Sequence, residues 1–338
     1  MALDHTVLLG SVLESTIAPQ ADQVDRAGRF PRSAVTALGE IGLLGLASAT
    51  AVGGGGAGLA ETARVIERLA GVCGSTAMVL LTHYAATAVV EAHGPPSLRG
   101  AIARGEHLAT LALGEPGDRC AVTRTGGAVV LDGTKTWVTA AGEADSYVWC
   151  YGSAAALVAA DTPGLRAGAP FDGLGLRGCA ATSMTADRVE VPADAVVTEG
   201  LDHALPVFLV LGAAFSLGLT EAMLADTAGR VPASRELAAL RARADLLRVF
   251  CDDTVAAVAG GRGDARVRAA AQARLAGAET ATEIGDRLLR LCGFAAARKE
   301  LALERHYRDA LTARVMTPTG ETLQEFAGCD AVGQPLFR

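Results

Sequence analysis

The chain has 338 residues, of which half are hydrophobic and 20% are charged, and its formal net charge at pH 7 is −7. This composition is typical of a soluble globular protein with two or three domains, and it excludes a largely disordered chain. The negative net charge offers no basic surface of the kind that binds nucleic acids or anionic membranes.

The cysteine pattern, the N-terminus and the longest apolar run exclude several further classes of protein. The seven cysteines are scattered: Cys73, Cys120, Cys150, Cys179, Cys251, Cys292 and Cys329. They form no C-x-x-C pair and no Cys/His cluster, so we expect no metal site, reduced thiols and a cytoplasmic location. The N-terminus carries Asp4 and no basic region, unlike a signal peptide. The apolar run 205–219 is shorter than the roughly 18 residues of a membrane span and favours a buried helix.

The first hundred residues have the spacing of helices. Apolar residues recur at helical intervals over 5–23, and Phe30-Pro31 opens a second helix that runs to Leu46. The glycines at 53–56 lack a following Lys-Ser/Thr and a preceding strand, so they predict a bend and not a phosphate loop. More helices are expected over 61–71, 75–93 and 97–110. His83 lies among apolar residues of the 75–93 helix, where a histidine is most often a core residue with satisfied hydrogen bonds.

The segment from Leu111 to Trp149 predicts a β-domain. It contains an apolar run, a G-E-P-G turn at 114–117, a hairpin at Gly126-Gly127 and a second strand at 136–139, whose β-branched and aromatic residues favour a pleated surface. Alternating residues continue at 157–159 and 189–192. The β-domain is therefore expected to continue to about residue 199.

From residue 205 onward the apolar residues return every three to four positions, which indicates a helical bundle. Helices are expected over 205–228, 234–259, 264–292 and 300–313, with a last helix after Gly320. The fold class is therefore α+β, with an N-terminal helical domain (1–110), a β-domain (111–199) and a C-terminal bundle (200–338).

Three motifs in this order resemble the acyl-CoA dehydrogenase family. Gly114-Glu115-Pro116-Gly117 is similar to the family's T-E-P-G turn, residues 132–139 (DGTKTWVT) to its N-G-x-K-x-W-I-T strand, and residues 303–310 (LERHYRDA) to its L-x-R-x-x-R-D-A segment. The resemblance implies an FAD cofactor. It also implies that the backbone of Leu113 and Gly114 contacts the flavin ring, that Trp137 covers one face, that Thr139 bonds to its edge and that Thr319 reaches the phosphates.

The same resemblance implies a substrate, and the sequence also predicts an assembly. The substrate would be an acyl thioester carried by coenzyme A or a carrier protein, and the helix that contains His83 would line the acyl pocket. A homodimer or homotetramer would form through faces of the bundle. We base this association on the 205–219 helix, which needs burial on nearly all sides.

The sequence departs from the family at the catalytic base. Most members carry a glutamate in an E-G-T turn after R-D-A, and its place here falls on Thr317, whose hydroxyl is far too weak a base near neutral pH. Some relatives place the glutamate at the start of the first bundle helix instead. Residues 205–210, which occupy that place here, include no carboxylate. Glu321 is the nearest candidate base, although a glutamate in a first helical turn is also favoured by the helix dipole. His83 is the second candidate, since a neutral imidazole can move a proton near pH 7.

The groups that hold the cofactor's phosphates in the family are also missing. The family's R-x-x-F-G turn is absent from 228–235, where Arg230 and Arg235 are the candidate replacements for its arginine. In the first flavin turn, Gly117-Asp118-Arg119 stands where many members have G-S-D. We therefore expect FAD to be weakly bound or absent. Three functions stay open. They are a flavin oxidoreductase acting on an acyl thioester with an altered base, a flavin monooxygenase or flavin-free isomerase or lyase on the same fold, and a non-catalytic partner subunit.

Overall fold

A computed structural model describes residues 5–114, 120–261, 263–294 and 301–331. The N-terminal part is helical: α1 (His5–Val12), α2 (Ala18–Ala27), α3 (Arg32–Glu40), α4 (Leu59–Ala70), α5 (Gly74–His93) and α6 (Pro96–Ala103). A π-helical segment, Leu13–Ile17, joins α1 to α2. The helix predicted over 97–110 ends earlier, at Ala103, and the first strand begins at Ala109, so that prediction was too long.

The glycine-rich bend lies where the sequence predicted one. Gly53 and Gly56 have φ values of 91° and 63°, which L-residues with a side chain rarely adopt. Gly54 packs against the backbone of Ser48 so closely that a Cβ would clash with it. The bend therefore depends on glycine for its shape, and it leads the chain into α4.

Helix α5 is the central element of the N-terminal part. Sixteen of its twenty residues are buried, because it packs against α4, against the first strand and against the long first helix of the bundle. This position explains its nearly uniform apolar character. The middle of α5 also places Thr82 and His83 at the junction between the helical and β parts.

The β part consists of two four-stranded sheets. Its strands are β1 (Ala109–Ala112), β2 (Cys120–Thr125), β3 (Ala128–Val138), β4 (Ser146–Tyr151), β5 (Ala154–Ala159), β6 (Leu165–Ala167), β7 (Thr182–Pro192) and β8 (Val196–Val197). The sheet orders are β1-β4-β5-β8 and β2-β3-β7-β6, and the pair β1/β4 is parallel. The β3/β7 ladder has a register shift between Lys135 and Val138, so the regular pairing is interrupted at residues 136 and 137.

The C-terminal part contains five helices in the described ranges: α7 (Gly200–Thr227), α8 (Arg235–Gly260), α9 (Asp264–Cys292), α10 (Leu303–Val315) and α11 (Gly320–Ala331). By length and composition α7 could cross a membrane, but 83% of its most apolar window is buried inside the protein. Helices α4, α5, α8, α9 and α10 of the same chain supply that burial. The apolar character of α7 therefore does not require a second subunit, and the association predicted from this helix stays a prediction.

Candidate functional site

Trp137, at the end of β3, combines an exposed aromatic ring with an unusual backbone. Its φ is 57°, in the left-handed region that residues other than glycine and asparagine rarely adopt. The residue is 49% exposed. The register shift between β3 and β7 allows this conformation. Strained backbone of this kind is concentrated at functional sites, where it aims a side chain at a ligand.

An apolar cavity of about 360 Å³ lies against Trp137. Its walls are the end of β3, the segment 171–181 and the last turns of α10. The residues that line it are Trp137, Thr139, Phe171, Gly173, Leu174, Gly175, Leu176, Arg177, Cys179, Ala181, Leu311, Thr312, Val315 and Met316. The Phe171 ring lies 4.5 Å from that of Trp137, centroid to centroid, at 53°. A mostly apolar cavity of this volume with aromatic walls is typical of a small-molecule or cofactor site.

A second, much smaller cavity continues from the first on the side of β1. Both cavities are lined by Trp137, Thr139 and Met316, and the smaller one has about 30 Å³, the volume of about one water molecule. Its other walls are Thr82, Leu111, Leu113, Gly114, Thr136, Phe208 and Thr317. The end of β3 is fixed there because the Thr110 hydroxyl donates to the Thr139 carbonyl at 2.9 Å.

Asp309 holds the segment that forms the outer wall of the larger cavity. Its carboxylate is buried and accepts a hydrogen bond from the backbone N–H of Leu176 at 2.6 Å. The second carboxylate oxygen lies against Gly74 at the start of α5, where a Cβ would clash with it. Burial raises the pKa of Asp309 to about 6. The carboxylate therefore joins the cavity wall, α5 and α10 at one point.

Arg308, the neighbour of Asp309, joins the cavity wall and α10 to α2. Its guanidinium donates to both carboxylate oxygens of Asp25, at 2.9 and 2.6 Å, and to the Leu174 carbonyl at 2.9 Å. Hydrogen bonds to Asp25 and Glu304 hold the pKa of Arg308 above its usual value. The R-D-A motif is thus part of the scaffold of the site, a role that the family resemblance did not suggest.

His83 lies in the core and borders neither cavity at Trp137. Its Nδ1 accepts from the N–H of Ala109 at 3.1 Å, which leaves Nε2 to donate to the carbonyl of Leu44 at 2.9 Å. Burial lowers its pKa to about 4. The geometry is that of a neutral core histidine that links α5, β1 and the loop after α3.

Glu321 and Thr319 lie in a different place from Trp137. Glu321 is exposed in the first turn of α11, and the Thr319 hydroxyl accepts from the N–H of Thr322 at 3.3 Å. Both border a third cavity, which shares only Leu311 and Val315 with the cavity at Trp137. The structure therefore brings Leu113, Gly114, Trp137 and Thr139 together and separates Thr319 and Glu321 from them.

The two cavities at Trp137 contain no carboxylate or imidazole among the described residues. Arg177 borders the larger one, but its guanidinium donates to the carbonyls of Asp25 and Gly173 and pairs with Asp172. Burial raises the pKa of Cys179 to about 12. No described side chain in either cavity is therefore suited to remove a proton near pH 7.

The described residues fit a flavin ring but not its phosphates at the places that the family resemblance implies. The exposed Trp137 face, the adjacent Thr139 and the apolar cavity suit a planar aromatic ligand. The rest of the G-E-P-G turn, residues 115–117, lies outside the described ranges. Arg230 and Arg235 border neither cavity at Trp137, and the Arg230 side chain donates to the Asp226 carbonyl at 3.2 Å.

Comparisons with known proteins agree with this architecture. Residues 9–104 match the family "Acyl-CoA dehydrogenase, N-terminal domain" and residues 230–327 match "Acyl-CoA dehydrogenase, C-terminal domain". The human mitochondrial short-chain specific acyl-CoA dehydrogenase is 28% identical over 252 residues, which cover 64% of this chain and 61% of that protein. The chain thus aligns with less than two thirds of that relative's length.

Two solved structures illustrate the range of proteins with this fold. Butyryl-CoA dehydrogenase from Megasphaera elsdenii superposes with a TM-score of 0.88 at 20% identity, over 97% of each chain. A nitrososynthase from Micromonospora carbonacea var. africana superposes with a TM-score of 0.82 at 26% identity, over 97% of this chain and 95% of that one.

Proposed function

The chain belongs to the acyl-CoA dehydrogenase family, and from that premise we propose that it is a flavin-dependent oxidoreductase that works without a carboxylate base. One observation carries the proposal. The strained and exposed Trp137 faces an apolar cavity whose described walls offer no Asp, Glu or His. The aromatic platform for a ring is thus retained, while the group that removes an α-proton in the family is not.

Four of the predicted residues would hold the cofactor ring. Trp137 would stack on one face, the Thr139 hydroxyl would hydrogen-bond to one edge, and the backbone of Leu113 and Gly114 would contact the ring. A bound flavin would supply electron transfer, either to and from an organic substrate or to O2. A bound ring would cover the exposed Trp137 side chain and displace water from the apolar walls, which would strengthen each of these polar contacts.

The substrate proposed is an acyl thioester on coenzyme A or a carrier protein, as in the family. Phe208, Met316 and Thr317 leave only about 30 Å³ beside the end of β3. The reacting group that enters there must therefore be small. Thr317 can donate a hydrogen bond to a thioester carbonyl and so orient it, but its hydroxyl cannot take the α-proton near pH 7.

Oxygenation is the reaction class that this site supports best. Dehydrogenation of an acyl thioester requires removal of an α-proton by a base close to the ring, whereas reaction of O2 with a reduced flavin requires no such base. In oxygenation an external reductant would supply two electrons to the flavin, one oxygen atom of O2 would pass to the substrate, and the other would leave as water. The likeness to a nitrososynthase is consistent with chemistry other than dehydrogenation on this fold. Dehydrogenation with Glu321 as the base is the second candidate, because the cavity of Glu321 adjoins that of Trp137 along Leu311 and Val315.

Anaerobic mixing separates the two reactions. Protein loaded with FAD is mixed with butyryl-CoA without oxygen, and the visible absorbance of the flavin is followed. We expect no bleaching for the wild type, and bleaching for Thr317→Glu, which restores a carboxylate at the family position. Thr317→Gln is the matched control, because it has the same length and no base. Bleaching of the wild type by butyryl-CoA would show that the protein is a dehydrogenase and that this proposal is wrong.

The test for oxygenation uses the same FAD-loaded protein after chemical reduction of its flavin. On admission of air in the presence of a short acyl-CoA, we expect a product heavier by one oxygen atom in mass spectrometry. Reduced flavin that returns only hydrogen peroxide with every thioester tested would count against oxygenation of this substrate class.

We also propose that the chain forms a homodimer through α8 and not through α7. Helix α8 carries Leu246, Val249 and Phe250 at one exposed face, and the first of these is 70% exposed. Their spacing of three and four residues makes a continuous apolar stripe along α8. Such a stripe on a bundle helix is typical of a protein interface.

A further inference from the structure

Two histidines from distant parts of the sequence meet outside the cavities described above. The Nε2 atoms of His93 and His203 are 3.1 Å apart, although 110 positions separate the residues. His93 is the last residue of α5, and His203 lies in the first turn of α7. The ring planes meet at 67° with centroids 5.0 Å apart, so the edges of the rings face each other. The proposed reaction gives neither histidine a role.

The distance between the two nitrogens is that of two ligands of one metal ion. Two histidine nitrogens that bind the same Zn²⁺, each at about 2.0–2.1 Å, lie about 2.9 Å apart at a right angle and about 3.4 Å apart at the tetrahedral angle. The observed 3.1 Å falls between these values. The separation therefore fits one shared ion with no change in the spacing of α5 and α7. A neutral pair can instead share one N–H between the two nitrogens, so only a measurement with metal distinguishes the two arrangements.

The position of the pair at the surface decides how an ion would be coordinated. His93 is exposed and His203 is partly exposed, so an ion can enter directly from solvent. The described residues contain no group of three or more side chains that could hold a metal. The two imidazoles would therefore be the protein ligands, and water would complete the coordination.

The charges around the pair favour a cation. Glu199 and Asp202 act on the His203 ring in favour of positive charge, whereas Arg266 acts against it. The dipoles of the two helices offset each other, because α5 ends at His93 and α7 begins beside His203. Two carboxylates thus stand against one guanidinium, and a neutral imidazole is the form of histidine that binds metals.

We propose that His93 and His203 bind a divalent transition-metal ion, which joins the end of α5 to the start of α7. Imidazole suits Zn²⁺, Ni²⁺ and Cu²⁺, whereas Mg²⁺ and Ca²⁺ prefer oxygen ligands. The ion would link the N-terminal helical domain to the bundle, and it is independent of the flavin. The sequence predicted no metal site because it shows no ligand-spacing motif, and two ligands 110 positions apart form none.

Calorimetric titration of the full chain with Ni²⁺ at about pH 7.5, where imidazole is mostly neutral, tests the site. We expect one ion per chain with a Kd of about 1–100 µM, because the protein supplies half of the ligands of a tetrahedral site. His93→Gln and His203→Gln should each weaken binding about tenfold or more. His5→Gln, which removes another partly exposed histidine, is the matched control and should bind as the wild type does. Absence of saturable binding to the wild type, or equal affinity in both variants of the pair, would overturn the proposal.

Thermal unfolding with and without Ni²⁺ tests the link between the helices. An ion that binds the folded chain stabilises it, so at about a hundred times the Kd we expect the midpoint of the wild type to rise by a few degrees. EDTA should reverse the rise, and Mg²⁺ should produce none. An equal rise in His93→Gln and His203→Gln would place the metal elsewhere and refute the site. A protein that binds Ni²⁺ through this pair but binds no flavin would refute the proposed function and leave the metal site standing.

Discussion

The burial of His83 leads to a specific dependence of stability on pH. In the folded protein its pKa is about 4, whereas the ordinary value is 6.5. Between these two values the unfolded chain binds a proton that the folded chain does not. The stabilisation from a neutral His83 is therefore complete above about pH 6.5 and is lost as the pH falls towards 4.

The magnitude follows from the difference in pKa. The difference between the ordinary pKa of 6.5 and the folded pKa of about 4 corresponds to about 3 kcal/mol of unfolding free energy. Asp309 acts in the opposite direction, because its raised pKa of about 6 stabilises the folded protein at low pH. The pH profile of the wild type alone is thus a sum of opposing contributions, and the informative quantity is the difference from a variant that lacks His83.

Urea denaturation of the wild type and His83→Gln at several pH values between about 4 and 7 measures that difference. We expect the wild type to lose about 3 kcal/mol more than the variant over this range. His93→Gln, at the exposed end of the same helix, is the control for loss of a histidine. Parallel pH profiles for the wild type and His83→Gln would refute the assignment of a neutral core imidazole.

Three further predictions test the scaffold, the base and the interface. Asp309→Ala removes the acceptor of the Leu176 N–H, and we expect a loss of about 1–3 kcal/mol in urea denaturation; unchanged stability would contradict the scaffold role. Glu321→Gln should leave turnover with the true substrate unchanged, because Glu321 does not border the cavity at Trp137; a large fall in kcat would identify it as the base. Leu246→Glu places a charge in the apolar stripe of α8 and should convert a dimer to a monomer in light scattering; an unchanged dimer would locate the interface elsewhere.

Much of the fold could be predicted because its signals are local. The α9 helix was expected over 264–292 and spans Asp264–Cys292, since Gly260-Gly261 and Gly293 mark its ends in the sequence. The end of β3 was likewise recognised from its own residues, and the structure places Trp137 and Thr139 together at a cavity.

The parts of the site that could not be predicted depend on contacts between distant segments. Glu321 was chosen because it follows Thr317 closely in the sequence, but the turn into α11 directs it to another cavity. The hydrogen-bond partners of His83 come from Leu44 and Ala109, which no helical periodicity can reveal.

The burial of Arg274, which is only 4% exposed, could not be predicted from the sequence either. It stands in an ordinary helical run of small and charged residues, and its burial depends on Gly212, sixty-two positions earlier.

Titration of the apo-protein with FAD, followed by flavin fluorescence, tests the central claim most directly. We predict saturable binding of one flavin per chain, weakened about ten- to a hundredfold in Trp137→Ala, because stacking on an aromatic side chain contributes about 1–3 kcal/mol. Absence of saturable binding to the wild type, or equal affinity in Trp137→Ala, would contradict the assignment of this protein as a flavin-dependent oxidoreductase built around Trp137.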